Sequence, residues 1–387
     1  MGKWFRISHI SAGFIAVLVG YTSSVAIIFQ AANAAGASAA ELNSWMWALG
    51  IGMGASCIGL SLRYRNPVLT AWSTPGAALL VTSLSGLTMS QAIGVFLFSS
   101  LLITLSGITG WFQKIMQCVP RHIAAAMLAG ILIRFGMDLF TAMQSQWLMV
   151  GLMFIVFLLG RIWVPRYTVP LALAVGMLCA GSLGLLHLET LAWTPASPLL
   201  MPPEFSVSAL IGVGIPLFIV TMTSQNVPGL AVLRANGYQT PASPLISWTG
   251  VAGLILGPFG GFSFNLAAIT AAICMSKDAD SDPSRRYLAS VWAGVFYLFT
   301  GVFGATVVGL FAAFPVELVA AIAALALLGT IGNSLAGALA DDHGREAALV
   351  TFICTASGMT FMGIGSAFWG LVFGICVHAA ASRIRPS

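Results

Sequence analysis

The sequence predicts an all-α polytopic membrane protein, and three observations carry that prediction. Of the 387 residues 58% are hydrophobic and only 7% are charged, against about 25% charged in an ordinary soluble protein. Apolar stretches approaching the roughly 20 residues needed to cross a bilayer follow one another from Ile10 to Arg383. Nearly all basic residues fall at the ends of those stretches. So few charges cannot wet the exterior of a chain this long, so lipid must be the solvent for most of its surface.

Fourteen crossings are read: 10–32, 42–62, 66–84, 90–112, 120–140, 146–164, 168–186, 206–230, 242–257, 258–275, 287–312, 316–338, 346–363 and 366–383. The first follows Lys3 and Arg6 and ends near Ala32-Asn33-Ala34, which resembles a signal-peptidase site. It is longer than a signal core of about 7–15 residues and carries Tyr21-Thr22-Ser23-Ser24, so it reads as a retained span. With the N-terminus inside, alternation places every one of the 16 Lys and Arg except Arg134 on the cytoplasmic side. Cytoplasmic loops carry such an excess. The expected location is therefore a bacterial inner (cytoplasmic) membrane, with both termini cytoplasmic.

The composition also excludes classes. The net charge of +5 comes from basic residues scattered singly between apolar runs, which offers no basic face to nucleic acid. Cys57, Cys118, Cys179, Cys274, Cys354 and Cys376 form no CxxC pair and read as packing residues. There is no HExxH, no P-loop and no Ser/His/Asp grouping, and Gly50-Ile51-Gly52-Met53-Gly54 reads as helix packing. No enzyme, metal or cofactor is expected.

Seven spans per half is an odd number, so the halves of a seven-plus-seven inverted repeat would face opposite ways. Short matches support one: Thr22-Ser23 with Thr223-Ser224, Trp72-Ser73 with Phe262-Ser263, and Gly94-Val95-Phe96 with Gly294-Val295-Phe296. The third and tenth segments are expected to be broken, each an extended stretch followed by a half-helix. In the third, Pro67 and Val68 to Trp72 oppose helix, Ser73 or Thr74 suits an N-cap, and Pro75 suits the first turn. In the tenth, Gly260-Gly261 opposes helix and Ser263 or Asn265 suits the cap. Two opposed half-helices would meet with their N-termini near mid-membrane, where unpaired N–H groups favour an anion.

The eighth span contains Thr221, Thr223, Ser224, Gln225 and Asn226 ahead of Pro228-Gly229. An amide in lipid is costly unless it is paired or faces a cavity, so Gln225 and Asn226 are the side-chain ligands expected. Hydroxyls such as Ser23, Ser24 and Thr223 equally suit helix-to-helix bonding. Arg134 and Asp138, four apart, are expected to pair on one helical face. Glu41, Glu317 and Glu346 sit where a carboxylate complements a helix start. His378 is expected to be packed.

Thr70-Ala71-Trp72-Ser73-Thr74-Pro75-Gly76-Ala77-Ala78, Ala124-Ala125-Ala126-Met127-Leu128-Ala129-Gly130-Ile131, Ser224-Gln225-Asn226-Val227-Pro228-Gly229 and Gly363-Ile364-Gly365-Ser366-Ala367-Phe368-Trp369-Gly370-Leu371 resemble the BenE-type benzoate/proton symporters over essentially the whole chain. That family is similar in architecture to the uracil/proton symporter. The resemblance implies a core domain (residues 1–117 and 201–314), a gate domain (118–200 and 315–387), a homodimer and an elevator movement. It implies proton-coupled uptake of benzoate or a similar aromatic carboxylate. The acidic substrate contacts of the uracil symporter fall here on Gln225 and Phe262, which suits an anionic ligand. The carboxylate is expected between the Ser73/Thr74 and Ser263/Asn265 termini, with Gln225 and Asn226 donating. The ring is expected on Trp72, Phe262 or Phe264, with Tyr21 a weaker candidate. The alternatives are another small organic anion, a nucleobase-like ring, or an anion channel on the same scaffold.

Overall fold

The structure, a computed structural model, describes residues 6–110, 120–186, 195–362 and 364–384. Lys3, Cys118 and Gly363 lie outside the described residues. Helices α1 (Ile7–Ala34) and α2 (Ala39–Tyr64) lead to a short strand β1 (Thr70–Trp72) and helix α3 (Thr74–Ser83). Then come α4 (Met89–Ile108), α5 (Arg121–Ser145), α6 (Trp147–Trp163) and α7 (Thr168–Ser182). Helix α8 (Val207–Ala235) contains two π turns, Leu210–Gly214 and Met222–Asn226. Helix α9 (Ala242–Leu256) precedes strand β2 (Phe264–Leu266) and helix α10 (Ile269–Met275). The chain continues through α11 (Tyr287–Val302), α12 (Gly304–Ala312), α13 (Val316–Leu339) and α14 (Arg345–Ser357). A hairpin of β3 (Thr360–Phe361) and β4 (Ile364–Gly365) leads into α15 (Ser366–Ile384).

Among the described residues seven helices are long and apolar enough to cross a membrane, or eight if the 67° bend before α12 interrupts one span. The chain is thus an all-helical, multi-pass membrane protein. Helices α6, α7 and α15 are apolar but shorter. Helix α3, at 10 residues, is about 15 Å long, and α10 is shorter still. Neither can cross a hydrocarbon layer of roughly 30 Å alone.

Local chemistry starts several helices. Ser38 and Glu41 form a capping box at α2, with the Glu41 N–H donating to Ser38 Oγ (3.3 Å) and the Ser38 N–H donating to Glu41 (2.7 Å). Thr88 and Gln91 repeat the device at α4. Glu317 and Glu346 lie in the first turns of α13 and α14. Helices α1 and α2 pack on α11, α4 on α9, and α1 along α3 and α10. Helix α5 packs on α13 and α14, α14 on α15, and α6 on α7. The glycines of α2 permit close approach: a Cβ on Gly50 would run into the Cα of Gly301, and one on Gly52 into the ring of Phe264.

The expected Arg134–Asp138 pair does not close. Arg134 donates instead to the carbonyls of Ala356 (3.4 Å) and Ser357 (3.1 Å) at the end of α14. Carbonyls left over at a helix C-terminus attract a cation and cannot move away, whereas the neighbouring carboxylate can turn. His378 packs against His122, with ring centroids 4.9 Å apart and the planes tilted by 52°.

A buried ionic knot fastens the start of α1 to the loop after α10. The Asp280 carboxylate, 1% exposed, accepts from Arg6 Nη1 at 3.0 Å and from the Asp282 N–H at 2.9 Å, and lies 2.8 Å from His9 Nε2. Arg286 donates to the carbonyls of Asp280 (2.8 Å) and Met275 (2.9 Å), so the knot also holds the last residue of α10. Burial pushes the Asp280 carboxyl up, but the Asp282 N–H, His9 and Arg6 outweigh it and hold it below its ordinary value. A carboxyl depressed in the folded state stabilises it above the ordinary carboxylate range, and that contribution disappears as pH falls through the lower folded value. Thermal-shift measurements should therefore show Asp280→Asn melting roughly 2–4 °C lower near neutrality. The gap to the parent should close as pH is lowered through that range.

Candidate functional site

The two interrupted segments solve one problem together. Pro67 has no N–H, and a residue before proline avoids helix, so the chain leaves α2 in an extended path. Strand β1 pairs antiparallel with β2: Thr70 opposite Leu266, Ala71 opposite Asn265, Trp72 opposite Phe264. The ladder is lengthened by the Ser73 N–H donating to Ser263 O (3.1 Å) and the Ala267 N–H donating to Leu69 O (2.9 Å). Ser61 Oγ donates to Val68 O at 2.8 Å, and Thr70 bonds to Ser56, Cys57 and Met53 of α2. Extended backbone inside a membrane protein persists only when its polar groups are satisfied this way.

The helix starts are unequal. Ser73 caps α3, its Oγ accepting from the Gly76 N–H at 3.0 Å, and Pro75 follows as the second helical residue. Helix α10 has Ala268 at its N-cap and no side-chain cap, so its first-turn N–H groups have no partner of that kind. Neither Ser263 nor Asn265 caps it, against expectation. Gly260 (φ 92°) and Ser263 (φ 45°) turn through left-handed conformations ahead of β2, and this turn delays the strand and the helix. The spacing between β1 and β2, and between α3 and α10, is accordingly four to five residues longer than the Trp72-Ser73/Phe262-Ser263 match supposes. Asn265 Nδ2 donates to Ser263 O (2.9 Å), while Ser263 Oγ and Asn265 Oδ1 are buried without a partner.

Both half-helix starts open into one cavity of about 1520 Å³. Its lining includes Trp72, Thr74, Pro75, Ala268, Ile269 and Thr270 at the half-helix starts, and Pro120, Arg121, Pro165 and Arg234 at other helix ends. Gln225, in the second π turn of α8, is half-buried and lines it beside Thr223 and Ser224. A π turn inserts one residue into the ladder and is frequent at functional sites. Thr223 and Ser224 donate to backbone carbonyls of the preceding turn, Ile219 and Val220, so their hydroxyls serve the helix first. Trp72 is held by its Nε1–H donating to Ser24 Oγ (2.7 Å) and by Tyr21 edge-on at 4.9 Å.

Of the residues expected at the site, Trp72, Thr74 and Gln225 line the cavity, and the others stand behind it. Ser73 is spent as the cap. Asn226 is fully buried, accepts from the Leu266 N–H at 2.9 Å and donates to Met222 Sδ at 3.0 Å; it anchors β2 and does not line the cavity. Phe262 is fully buried against Phe96 (5.2 Å) and Trp45 (5.8 Å). Phe264 is buried against Gly52 of α2 and Gly253 of α9. Tyr21 supports Trp72 from behind. Phe262 thus lies in the core and does not line the cavity, because the longer turn before β2 delays the strand.

The sequence reading overlooked the wall formed by α13, where Thr330, Asn333 and Ser334 line the cavity. Asn333, an amide within an apolar run, was the available signal. Tyr297 of α11 and Thr270 of α10 were missed as well. Among the described residues the charged side chains lining the cavity are Arg121 and Arg234, and none is acidic.

A bundle of apolar helices around a mostly apolar cavity with a few convergent polar groups, floored by two broken segments, is the construction of a multi-pass membrane transport protein. The chain belongs to the BenE family of benzoate membrane transport proteins, whose sequence model matches residues 3–380. It is 51% identical over 378 residues to the inner membrane protein YdcO of Escherichia coli K12, covering 97% of each chain. It is 41% identical over 383 residues to the benzoate membrane transport protein of Acinetobacter baylyi, covering 99% of this chain and 97% of that one. In fold it is similar to the transmembrane domain of the cyanobacterial bicarbonate transporter BicA (TM-score 0.60, 14% identity, 97% of each chain). It is also similar to murine Solute Carrier 26 family member A9 in its inward-facing state (TM-score 0.55, 11% identity, 98% of this chain and 68% of that one).

Because Asn226 satisfies a buried strand N–H, Asn226→Ala should cost about 1–3 kcal/mol. Thermal unfolding in detergent measures that loss, and ligand affinity should fall with it because Trp72 shares the strand pair.

Proposed function

We propose that the protein is a secondary active transporter that takes up benzoate or a similar aromatic carboxylate with protons across a bacterial inner membrane. The observation that carries this reading is that α3 and α10 begin in one cavity, free of acids among the described residues, beside an amide and an indole. A carboxylate at the floor meets the uncapped start of α10, the hydroxyls of Thr74 and Thr270, and the Gln225 amide. The aromatic ring lies against Trp72, whose rotamer Ser24 and Tyr21 fix. A buried carboxylate at position 225 would repel such a substrate, and Gln225 donates in its place. The name of the Acinetobacter relative supports benzoate as the substrate, and that of the E. coli relative supports the inner membrane. Proton coupling rests on the family resemblance.

The same reading orders the rest of the chain. Paired with their strands, α3 and α10 complete two further crossings, and the shorter apolar helices supply others, for fourteen in a seven-plus-seven inverted repeat. Residues 1–117 and 201–314 form the core and 118–200 and 315–387 the gate, which matches how α1, α2, α4, α9 and α11 pack together and how α5, α13, α14 and α15 do. The core moves against the gate in an elevator stroke within a homodimer. Charge alternation puts Arg121 and Arg234 in the cytoplasm, so the cavity opens inward.

Uptake of labelled benzoate into proteoliposomes under an imposed proton gradient tests this directly. Gln225→Ala should abolish or severely reduce uptake with expression and melting temperature intact, and unchanged uptake removes Gln225 from the site. A panel of aromatic acids, other organic anions and nucleobases should show benzoate-like acids competing best. Very rapid flux indifferent to the pH gradient would instead mark an anion channel.

A further inference from the structure

Arg121 is the first residue of α5, and Arg234 lies in the last turn of α8. Both are exposed, and both line the cavity, with Arg234 on α8 roughly 13 Å along the helix axis from Gln225. The tendency of basic residues to gather at one membrane face explains why arginines stand at such helix ends. Arg65 and Lys277 also lack an ion pair or side-chain hydrogen bond among the described residues, but neither lines the cavity, as Arg121 and Arg234 do. Elsewhere Arg6 is held by Asp280, Arg285 by Asp282 at 3.3 Å, and Arg345 by Asp342 at 2.6 Å. Arg286 and Arg134 are held by backbone carbonyls. Among the described residues Arg121 and Arg234 carry no ion pair or side-chain hydrogen bond. Among the described residues no acid lines the cavity to neutralise them. Two free guanidinium groups in a concave, mostly apolar wall focus a positive potential into it. A guanidinium fork also matches a carboxylate in shape as well as charge.

We propose that Arg121 and Arg234 form an anion-recruiting vestibule at the mouth of the cavity, separate from the floor site, which captures carboxylates and sets their apparent affinity on that face. This rests on the anionic-substrate reading above. Capture of this kind acts over roughly a Debye length, about 8 Å at 0.15 M salt, so it is sensitive to ionic strength where a buried floor contact is not. It lowers the KM on the face that carries the arginines and leaves the turnover of the loaded carrier to the floor site. An anionic lipid headgroup offers similar chemistry and is the competing occupant.

The experiment is benzoate counterflow at equal pH on both sides, in phosphatidylcholine vesicles of known sidedness, with KM measured from each face at low and high potassium chloride. Raising the salt should increase KM on the Arg121/Arg234 face roughly threefold to tenfold. The R121Q/R234Q double variant should show that raised KM already at low salt and lose most of the salt dependence, with kcat and the opposite-face KM little changed. R121K/R234K should retain the parent's salt response. A parent whose KM ignores both salt and the double substitution overturns the vestibule while leaving the transport function standing. A response that occurs only with phosphatidylglycerol in the vesicles also overturns it, in favour of a headgroup site. A parent that exchanges no benzoate at all removes the functional reading, and the vestibule with it.

Discussion

Everything distinctive about this protein depends on two short strands that pair with each other in the middle of the molecule. Three residues of β1 face three of β2, and without that ladder neither segment could leave the helical state in a membrane. No water stands ready there to take over an unmade bond. Each unpaired group would cost several kcal/mol, more than a short half-helix recovers by packing. The pairing therefore makes two half-helices possible, places both starts at one level, and aims them into one space. Asn226 extends the same logic from α8, using a side chain where the ladder runs out of backbone partners.

The site that results is less symmetrical than two mirrored half-helices suggest. Helix α3 arrives already capped by Ser73 and with a proline in its first turn, so much of its capacity to bind an anion through backbone is spent internally. Helix α10 arrives with an alanine at its cap. The hydroxyls nearby are largely occupied by carbonyls of their own helices, which leaves Gln225 as the conspicuous uncommitted polar side chain of α8. One half-helix thus serves mainly to hold Trp72 and Thr74 in place, and the other supplies the electrostatics. The ionic knot at Asp280 belongs to this division, because it clamps the far end of α10, the helix whose start faces the cavity.

Much of this was legible in the residues themselves. The break in the third segment could be read almost to the residue, because Pro67, Ser73 and Pro75 each impose a local conformation through sterics or a short-range hydrogen bond. The tenth segment was harder. Its punctuation comes from Gly260-Gly261, and glycine permits many paths without selecting one; the extra left-handed turn at Ser263 left no mark in composition. That single ambiguity moved Phe262, Ser263 and Asn265 from the core into the expected site. It also lent a repeat register to a match of two residues. Asn226 lies behind the cavity for a different reason: an amide that satisfies a buried strand and an amide that lines a cavity look alike in sequence.

Apolar content, charge placement and the helix-breaking residues were sufficient on their own to establish a multi-pass helical membrane protein with two interrupted segments and a polar eighth span. These are properties of solvation and of local backbone energetics, and they act over a few residues wherever the rest of the chain lies. Which polar groups face the cavity, which brace it from behind, and that α13 contributes Asn333 to its wall were decided only by the tertiary structure. A side chain's role depends on the partner opposite it, and that partner is set by contacts between residues a hundred or more positions apart, which leave no local signature for a reader of the sequence to find.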